Sequence, residues 1–336
     1  MSTTWLLVTA LVAALLFPWQ GPELTLQILL IGIANGAIIA LIALGYTLVY
    51  GIIELINFAH GEVFMIGTMT ALTIITAIPA MLGLGRASQL EPPMIALLLV
   101  LALVSSVLVC AFLNAAIERL AYRHLRNAPR LAPLISAIGV SFILVNIGLF
   151  WKGASPVDFP NLIPNIDIVG DILGIDSIVT FTVKDFFVIA LSVPLTYALH
   201  LFVTRTRLGK AMRATAQDRE AAALMGIDIN QTIALTFLIG GALAGAAGLI
   251  FGLYNNTAWF FQGFRGGLMA FTAAVLGGIG NITGAVLGGF VIGVIAARSD
   301  FVFDARWTQA VVFGILILIL VFRPTGLLGE ETTERA

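Results

Sequence analysis

Long apolar stretches, separated by short polar segments, run through most of the 336-residue chain. An α-helix needs about 20 consecutive apolar residues to cross the hydrocarbon core of a bilayer, and most of these stretches are near that length. The alternating segments of about 10 residues that mark a membrane β-barrel are absent from the sequence. The pattern therefore predicts an all-α integral membrane protein with about eight to ten transmembrane or half-spanning helices. The predicted spans are Trp5–Trp19, Gln27–Tyr50, Ile56–Leu82, Met94–Ala116, Ala132–Trp151, Phe186–Val203, Ile233–Tyr254, Leu268–Leu276, Val286–Ala297 and Ala310–Phe322.

Two of these stretches are too short to cross a bilayer. Leu268–Leu276 has 9 residues and Val286–Ala297 has 12, and the glycine-rich run Val275–Gly289 overlaps both. We interpret them as a broken or re-entrant pair. The segment Gly45–Gly67 also combines glycines with polar residues, and transporters often place such breaks in corresponding positions of two repeated halves. The chain is therefore a candidate for two repeated halves with broken helices.

Composition agrees with a membrane protein and argues against several other classes. Hydrophobic residues make up 60% of the chain and charged residues 10%, whereas about 25% of a soluble domain is charged. The net charge of −1 gives no indication of a nucleic-acid partner. The single cysteine, Cys110, lies in an apolar run, which excludes a disulfide framework. The three histidines fall in separate segments, so no metal site is expected.

The distribution of lysine and arginine predicts the orientation in the membrane. Two segments, 118–130 and 205–220, together with Arg323 and Arg335 near the C-terminus, hold 11 of the 17 basic residues. Because cytoplasmic loops carry the excess of basic residues, we expect these segments, the tail 330–336 and both termini in the cytoplasm. The aspartate- and proline-containing loop 152–183 then faces the outside.

The first 22 residues form an extra hydrophobic segment before the main domain. The apolar run could be a cleaved signal peptide or a retained helix. No basic residue precedes the run, and signal peptides usually begin with a positive region. The sequence therefore favours a retained helix.

The cytoplasmic segment 204–230 is long, charged and rich in alanine. Helical spacing of Ala221, Ala222, Leu224 and Met225 predicts a short helix with one apolar side, which Gly226 is suited to end. Such a helix can dock onto a soluble partner, or it can serve as a solvated connector between spans. The physical pattern alone leaves both interpretations open.

The residues Glu220-Ala221-Ala222, followed after three positions by Gly226, resemble the EAA-xxx-G loop of ABC-importer membrane subunits. The later Ile-x-Leu-Pro part of that pattern is missing, and Thr236 stands where its isoleucine would be. From about Leu24 to Gly329 the chain resembles the branched-chain amino acid permease family, on its LivH-type branch. The resemblance also rests on the segments Gly45–Gly67, Glu118–Arg123, Leu134–Ser141, Ala234–Gly248, Ala270–Gly289 and Pro324–Gly329.

This resemblance implies that residues 23–329 form one permease domain of a bacterial inner-membrane importer. In the family, a periplasmic amino-acid-binding protein delivers the substrate, a LivM-type second permease subunit completes the pathway, and two ATP-binding cassette subunits supply energy. The chain has no phosphate-binding loop, because Ala211 follows Gly209-Lys210 and Thr204 replaces the first glycine. We therefore expect no cofactor on this chain, ATP only on partner subunits, and no enzymatic activity of its own.

The resemblance assigns 204–230 to contact with the ATPase subunits, and we call it the coupling segment. Glu220, Ala221, Ala222 and Gly226 match the motif directly. Arg213 and Asp218 are added from their position in the segment. Two other functions remain open: a urea or short-amide permease of the same family, and an ion-coupled secondary transporter in which this segment would have no role.

Ionisable residues inside the membrane are candidates for a functional site, and Glu54, Asn57, His60 and Glu62 lie within Gly45–Gly67. Residues three apart on a helix share a face, which would pair Glu54 with Asn57 and Asn57 with His60. A zwitterionic substrate needs a carboxylate for its ammonium group and N–H donors for its carboxylate, and a broken helix supplies free backbone N–H groups. Asn281, in the second glycine-rich run, is the remaining pathway candidate.

Two alternatives to substrate contact remain open for these residues. The same polar groups could hydrogen-bond internally and hold the broken helix to its neighbours. Glu54 could also lie at the cytoplasmic end of its helix, as an ordinary solvated side chain.

Overall fold

The computed structural model describes residues 21–84, 87–126, 128–129, 131–322 and 325–329. The predicted span Trp5–Trp19 and the tail 330–336 lie outside these ranges. Within the described ranges the chain is helical, apart from short connections and one pairing of two-residue strands.

Eleven α-helices follow one another along the described chain, and seven of them are long and apolar enough to cross a membrane. Two shorter helices, α9 and the apolar α11, accompany them, and the small helices α6 and α7 lie in the coupling segment. The helices are α1 (Pro22–Ile53), α2 (His60–Met81), α3 (Pro92–Ile117), α4 (Leu131–Lys152), α5 (Val183–Arg205), α6 (Arg207–Gln217), α7 (Arg219–Leu224), α8 (Ile229–Asn255), α9 (Gln262–Gly277), α10 (Ile282–Phe303) and α11 (Thr308–Phe322). This confirms the predicted all-α integral membrane fold.

Short elements complete the chain between the long helices. α3 continues into a wider π-type turn, Glu118–Tyr122, and a tighter 3₁₀ turn, Arg123–Leu125. The strands β1 (Val157–Asp158) and β2 (Thr257–Ala258) pair antiparallel, with Val157 opposite Ala258. Single helical turns lie at Ala87–Gln89 and Ile168–Ile172. The strand pairing joins the loop predicted to face outside to the end of α8.

The prediction of a short half-span at Val286–Ala297 is wrong. This stretch belongs to α10, a continuous helix of 22 residues that is long enough to cross a membrane. Glycines at 288 and 289 do not interrupt it, because they lie where α10 packs closely on its neighbours: a side-chain carbon at Gly289 would come within 2.6 Å of Ala40 in α1. The break is confined to the turn before Asn281. Leu268–Leu276 lies in α9, which has 16 residues.

Helices α1, α2 and α8 form the centre of the fold, with α10 packed along α1. About 72% of the most apolar part of α1 and of α8 is buried, against 17% for α4 and 22% for α5. The helices pack together where small residues let their backbones come close. Gly293 of α10 lies against Gly36 of α1, and Gly245 of α8 lies against Ser106 of α3. Such packing replaces the hydrophobic driving force that lipid removes. The exposed apolar faces of α3, α4 and α5 are left for lipid or another subunit.

The start of α2 lies well inside the length of α1. Residues 54–59 are not helical and run back alongside α1, so that His60 contacts Gly45. Gly45 precedes the end of α1 by about two helical turns, or about 12 Å along the axis. Gly61 in turn packs against Gly263 and Gly267 of α9. Two helix starts therefore meet at this depth.

Candidate substrate site and coupling segment

Glu62 is a buried carboxylate with one free oxygen. It lies in the first turn of α2 and its exposed fraction is 1%. Oε1 accepts a hydrogen bond of 3.3 Å from the Ser141 hydroxyl of α4, and Oε2 has no hydrogen-bond partner among the described residues. A buried charged oxygen without a partner is costly and rare in folded proteins. Glu62 therefore has the capacity to bind a positively charged group.

A cavity of about 360 Å³ opens beside Glu62, between α1, α2, α4 and α9. Its polar members are Glu62, Ser141 and the Tyr46 side chain. The rest of its wall is mainly apolar and includes Phe58, Ile138, Phe142, Val145, Phe264 and Leu268. An apolar cavity with a few placed polar groups is the usual form of a small-molecule site.

The N-termini of α2 and α9 both point into this region. Neither N-cap residue, Ala59 or Phe261, caps its helix with a side-chain hydrogen bond. Gly263, in the first turn of α9, lies so close to Glu62 Oε2 that a side chain there would overlap the oxygen. The N-terminus of a helix carries partial positive charge and free N–H groups. These two ends therefore favour the Glu62 anion and can also attract a second carboxylate.

Asn57 belongs to a separate buried network that fixes the connection between α1 and α2. Its amide donates to Asn114 Oδ1 at 3.2 Å, and its own oxygen accepts from the Tyr122 hydroxyl at 3.1 Å. Asn114 also donates to the Phe237 carbonyl at 2.6 Å. Asn57 does not line the cavity at Glu62. The Asn57 side chain thus hydrogen-bonds within the protein, which is one of the two alternatives to substrate contact described above.

His60 is completely buried at the start of α2. Its ring meets the Tyr46 ring edge-on, with centroids 4.8 Å apart, and lies directly on Gly45. Neither ring nitrogen has a hydrogen-bond partner in the described part of the chain. The structure thus places His60 behind Tyr46, which itself lines the cavity.

The expected helical pairing of Glu54 with Asn57, and of Asn57 with His60, is wrong. α1 ends at Ile53, and Glu54 adopts a left-handed backbone conformation with φ of 54°. The helix does not resume until His60, so these residues share no helix face. Glu54 is exposed and faces a different cavity, of about 430 Å³, together with Asp218 and Glu220 of the coupling segment.

Asn281 caps α10 at a site away from the Glu62 cavity. Its Oδ1 accepts from the Gly284 amide at 2.9 Å, and its Nδ2 donates to the Leu328 carbonyl at 2.9 Å. Asn281 therefore ties the start of α10 to the C-terminal segment. Its assignment to a substrate pathway stays a prediction.

The coupling segment forms two short helices rather than an open loop. Thr206 caps α6 through the Gly209 amide at 3.0 Å, and Asp218 caps α7 through the Ala221 amide at 3.0 Å. Gly226, with φ of 82°, follows α7 and allows the turn that ends it. These caps are local in sequence, so they explain why each helix begins and ends where it does.

One side of α7 packs inward and the other is exposed. Ala222 has an exposed fraction of 3%, whereas Leu224 and Met225 are 89% and 83% exposed. Arg213 of α6 donates to the Val203 carbonyl at 3.1 Å and so holds α6 against the end of α5. Large exposed apolar side chains on a charged segment form a surface that another protein can cover.

A buried ion pair fixes the neighbouring end of α3. Glu118 is fully buried and accepts from Arg123 at 3.0 Å and from Arg126. Arg126 also donates to Asn230 of α8 at 2.8 Å. Burial lowers the pKa of Arg126 from its usual value, and the Glu118 carboxylate opposes that shift. Removing Glu118 would leave the largely buried Arg126 without its counter-charge.

Comparison with known families gives a direct match to almost the whole chain. The family described as the permease component of the branched-chain amino acid transport system matches residues 28–321. The chain belongs to this family. It is 43% identical over 310 residues to the high-affinity branched-chain amino acid transport system permease protein BraD of Pseudomonas aeruginosa, covering 92% of this chain and 97% of BraD. No solved structure matches the chain.

Two further relatives in the permease family are the LivH proteins of Salmonella typhimurium and Escherichia coli. They are 40% and 39% identical to this chain over 310 residues, again covering 92% of this chain and 97% of each relative. Both are named high-affinity branched-chain amino acid transport system permease proteins. The resemblance inferred from the sequence motifs is therefore confirmed, and the permease is a multi-pass membrane protein.

Four contributors to these sites were not among the predicted residues of the permease. Tyr46 and Ser141 line the cavity at Glu62, Asn114 bonds Asn57, and Arg219 donates to the Ile52 carbonyl at 3.1 Å. Ser141 and Asn114 are polar residues in apolar spans, and that signal could have identified them. Within the described residues, no group of three metal-ligating side chains occurs.

Proposed function

We propose that this chain is the permease subunit of a binding-protein-dependent ABC importer for branched-chain or other neutral amino acids. Membership of the family supports the transport function, and the names of BraD and LivH support the substrate class. The observation that carries the proposal in this chain is the free carboxylate oxygen of Glu62 in an otherwise apolar cavity.

The cavity has a place for each part of a branched-chain amino acid. Glu62 Oε2 accepts the ammonium group as a charge-assisted hydrogen bond. The substrate carboxylate lies toward the N-termini of α2 and α9, where helix starts favour anions. Ile138, Phe142 and Val145 then cover the aliphatic side chain. Transporters with broken helices bind anionic groups of substrates at helix starts in the same manner.

The energy comes from ATP hydrolysis on separate subunits, which dock on the coupling segment. The exposed side chains of Leu224 and Met225, beside the EAA motif, supply the apolar part of that contact. The remaining partners are a LivM-type second permease subunit and a periplasmic amino-acid-binding protein. The chain resides in the bacterial inner membrane, surrounded by lipid, with both termini in the cytoplasm.

Uptake of labelled leucine in cells that lack the chain, with and without the chain restored, tests this proposal. Unlabelled alanine, glutamine, urea and acetamide are the competitors. We expect uptake that depends on the chain, that neutral amino acids inhibit, and that falls when ATP is depleted while the proton gradient is maintained.

Two results would contradict the proposal in different ways. If urea uptake depends on the chain and leucine uptake does not, the substrate is a short amide, which needs no carboxylate to bind an ammonium group. If uptake follows the proton gradient and ignores ATP, the chain is an ion-coupled transporter.

A further inference from the structure

The side chain of Arg219 joins the coupling segment to the end of α1. Arg219 is the first residue of α7, and its guanidinium donates a hydrogen bond of 3.1 Å to the carbonyl oxygen of Ile52. The EAA motif, Glu220 to Ala222, follows Arg219 directly in the sequence. The residue therefore lies between the proposed ATPase contact and the membrane helices.

The carbonyl that Arg219 binds is in the last turn of α1. The last carbonyls of a helix have no helical N–H donors, and they carry partial negative charge that favours a cation. α1 has no basic residue in its own last turn. Arg219 of α7 provides the cation instead. Immediately beyond, Glu54 turns the chain out of the helix in a left-handed conformation.

The same end of α1 leads directly to the carboxylate of the proposed substrate site. Residues 54–59 form a short non-helical connection, held at Asn57 by Asn114 and Tyr122. α2 then begins at His60 and carries Glu62 in its first turn. Because the connection is only six residues long, we expect a shift at the end of α1 to change the packing of that first turn.

Space for such a shift exists beside the Arg219 contact. The cavity of about 430 Å³ separates the junction of α6 and α7 from the end of α1, and its wall includes Glu54, Arg126, Thr215 and Arg219. The Thr215 hydroxyl is buried and has no hydrogen-bond partner among the described residues. The junction of α6 and α7 is therefore loosely packed at this cavity, where the Arg219 hydrogen bond joins it to the end of α1.

We infer that Arg219 is a positioning residue that transmits movement of the coupling segment, through the C-terminal end of α1, to the Glu62 cavity. This inference rests on the proposed function, because it requires movement driven by ATP hydrolysis. Without the Arg219 side chain, we expect ATP hydrolysis to continue but no longer to change the accessibility of the Glu62 cavity.

Chemical accessibility in the assembled complex tests the inference without reference to the substrate. Val145→Cys places a thiol in the cavity wall, and the buried Cys110 gives the background rate in the chain without that substitution. The rate of maleimide labelling is measured with no nucleotide and with ATP plus vanadate. We expect a change of about fivefold or more in the complex with native Arg219, and less than about twofold with Arg219→Gln.

The rate of ATP hydrolysis and two further variants distinguish a loss of transmitted movement from a loss of ATPase contact or of surface charge. Hydrolysis by Arg219→Gln should stay within about twofold of the native rate. Arg219→Lys keeps one donor for the Ile52 carbonyl, so it should restore at least about half of the labelling change. Arg119→Gln removes an exposed cation outside the coupling segment and should behave as the native chain does.

Three results would overturn the inference. The first is a labelling change in Arg219→Gln equal to that of the native chain. The second is a parallel loss of ATP hydrolysis, which would assign Arg219 to ATPase contact. The third, no nucleotide response in the complex with native Arg219, would contradict the ATP-driven function itself and the inference with it.

Discussion

Replacing Glu62 with glutamine removes the charge in the cavity and keeps the size of the side chain. In the structure, Oε1 is held by Ser141 at 3.3 Å, and Oε2 is free. An ammonium group on Oε2 would form a hydrogen bond to a charged group, worth about 1.5–3 kcal/mol. Since each 1.4 kcal/mol is a factor of ten, we expect leucine uptake at low concentration to fall about 10- to 100-fold in Glu62→Gln.

The assay is the initial rate of leucine uptake in membrane vesicles, normalised to the amount of permease present. Ser141→Ala removes only a neutral donor to Oε1, so it should lower uptake less, by about two- to tenfold. Glu23→Gln makes the same chemical change at an exposed position at the start of α1 and should leave uptake unchanged. Glu62→Gln should not reduce the amount of folded protein, because a neutral amide costs less to bury without a partner than a carboxylate does.

A native uptake rate in Glu62→Gln, at equal amounts of protein, would refute the role of Glu62 as the ammonium acceptor. A uniform fall in protein amount, with native uptake per molecule, would show instead that Glu62 stabilises the fold. Urea uptake, if any occurs, should not distinguish the variant from the native chain.

Two further substitutions test the packing that holds this region in place. Asn114→Leu leaves the buried Asn57 amide without its acceptor and removes the added hydrogen bond to the Phe237 carbonyl. The lost partner of Asn57 should cost about 1–3 kcal/mol and lower the thermal unfolding temperature of the solubilised permease. Gly45→Ala places a methyl group on the His60 ring. Such overpacking should lower the free energy of unfolding by about 1–3 kcal/mol. Gly139→Ala is the control, because the added carbon meets nothing within 4 Å, and it should not lower the unfolding temperature.

The sequence was sufficient to predict the fold class, because the length of an apolar run reports directly on its capacity to span a bilayer. The end of α1 was also close to the expected turn, since Gly51 and Glu54 interrupt the apolar pattern there. The glycines of α10 led to a wrong prediction of a broken helix. A glycine that breaks a helix and a glycine that lets two helices approach have the same local sequence, and only the contact of Gly289 with α1 distinguishes them.

The candidate site was predictable in part. An acidic residue in a membrane span is a strong local signal, and Glu62 carried it. The partners of Glu62 are distant in sequence: Ser141 lies on α4 and Gly263 on α9. The meeting of two helix starts depends on how α2 and α9 pack, and no local spacing reports on that packing. The separation of Asn57 from Glu62 likewise follows from the end of α1 at Ile53.

The proposed function depends above all on Glu62 receiving the substrate ammonium group in the cavity between α1, α2, α4 and α9. A cryo-EM map of the assembled importer, trapped with leucine, tests it most directly. We expect density for leucine in this cavity, with its nitrogen about 2.7–3.0 Å from a Glu62 carboxylate oxygen. Leucine bound at another place in the membrane domain, with Glu62 hydrogen-bonded only to protein, would contradict it.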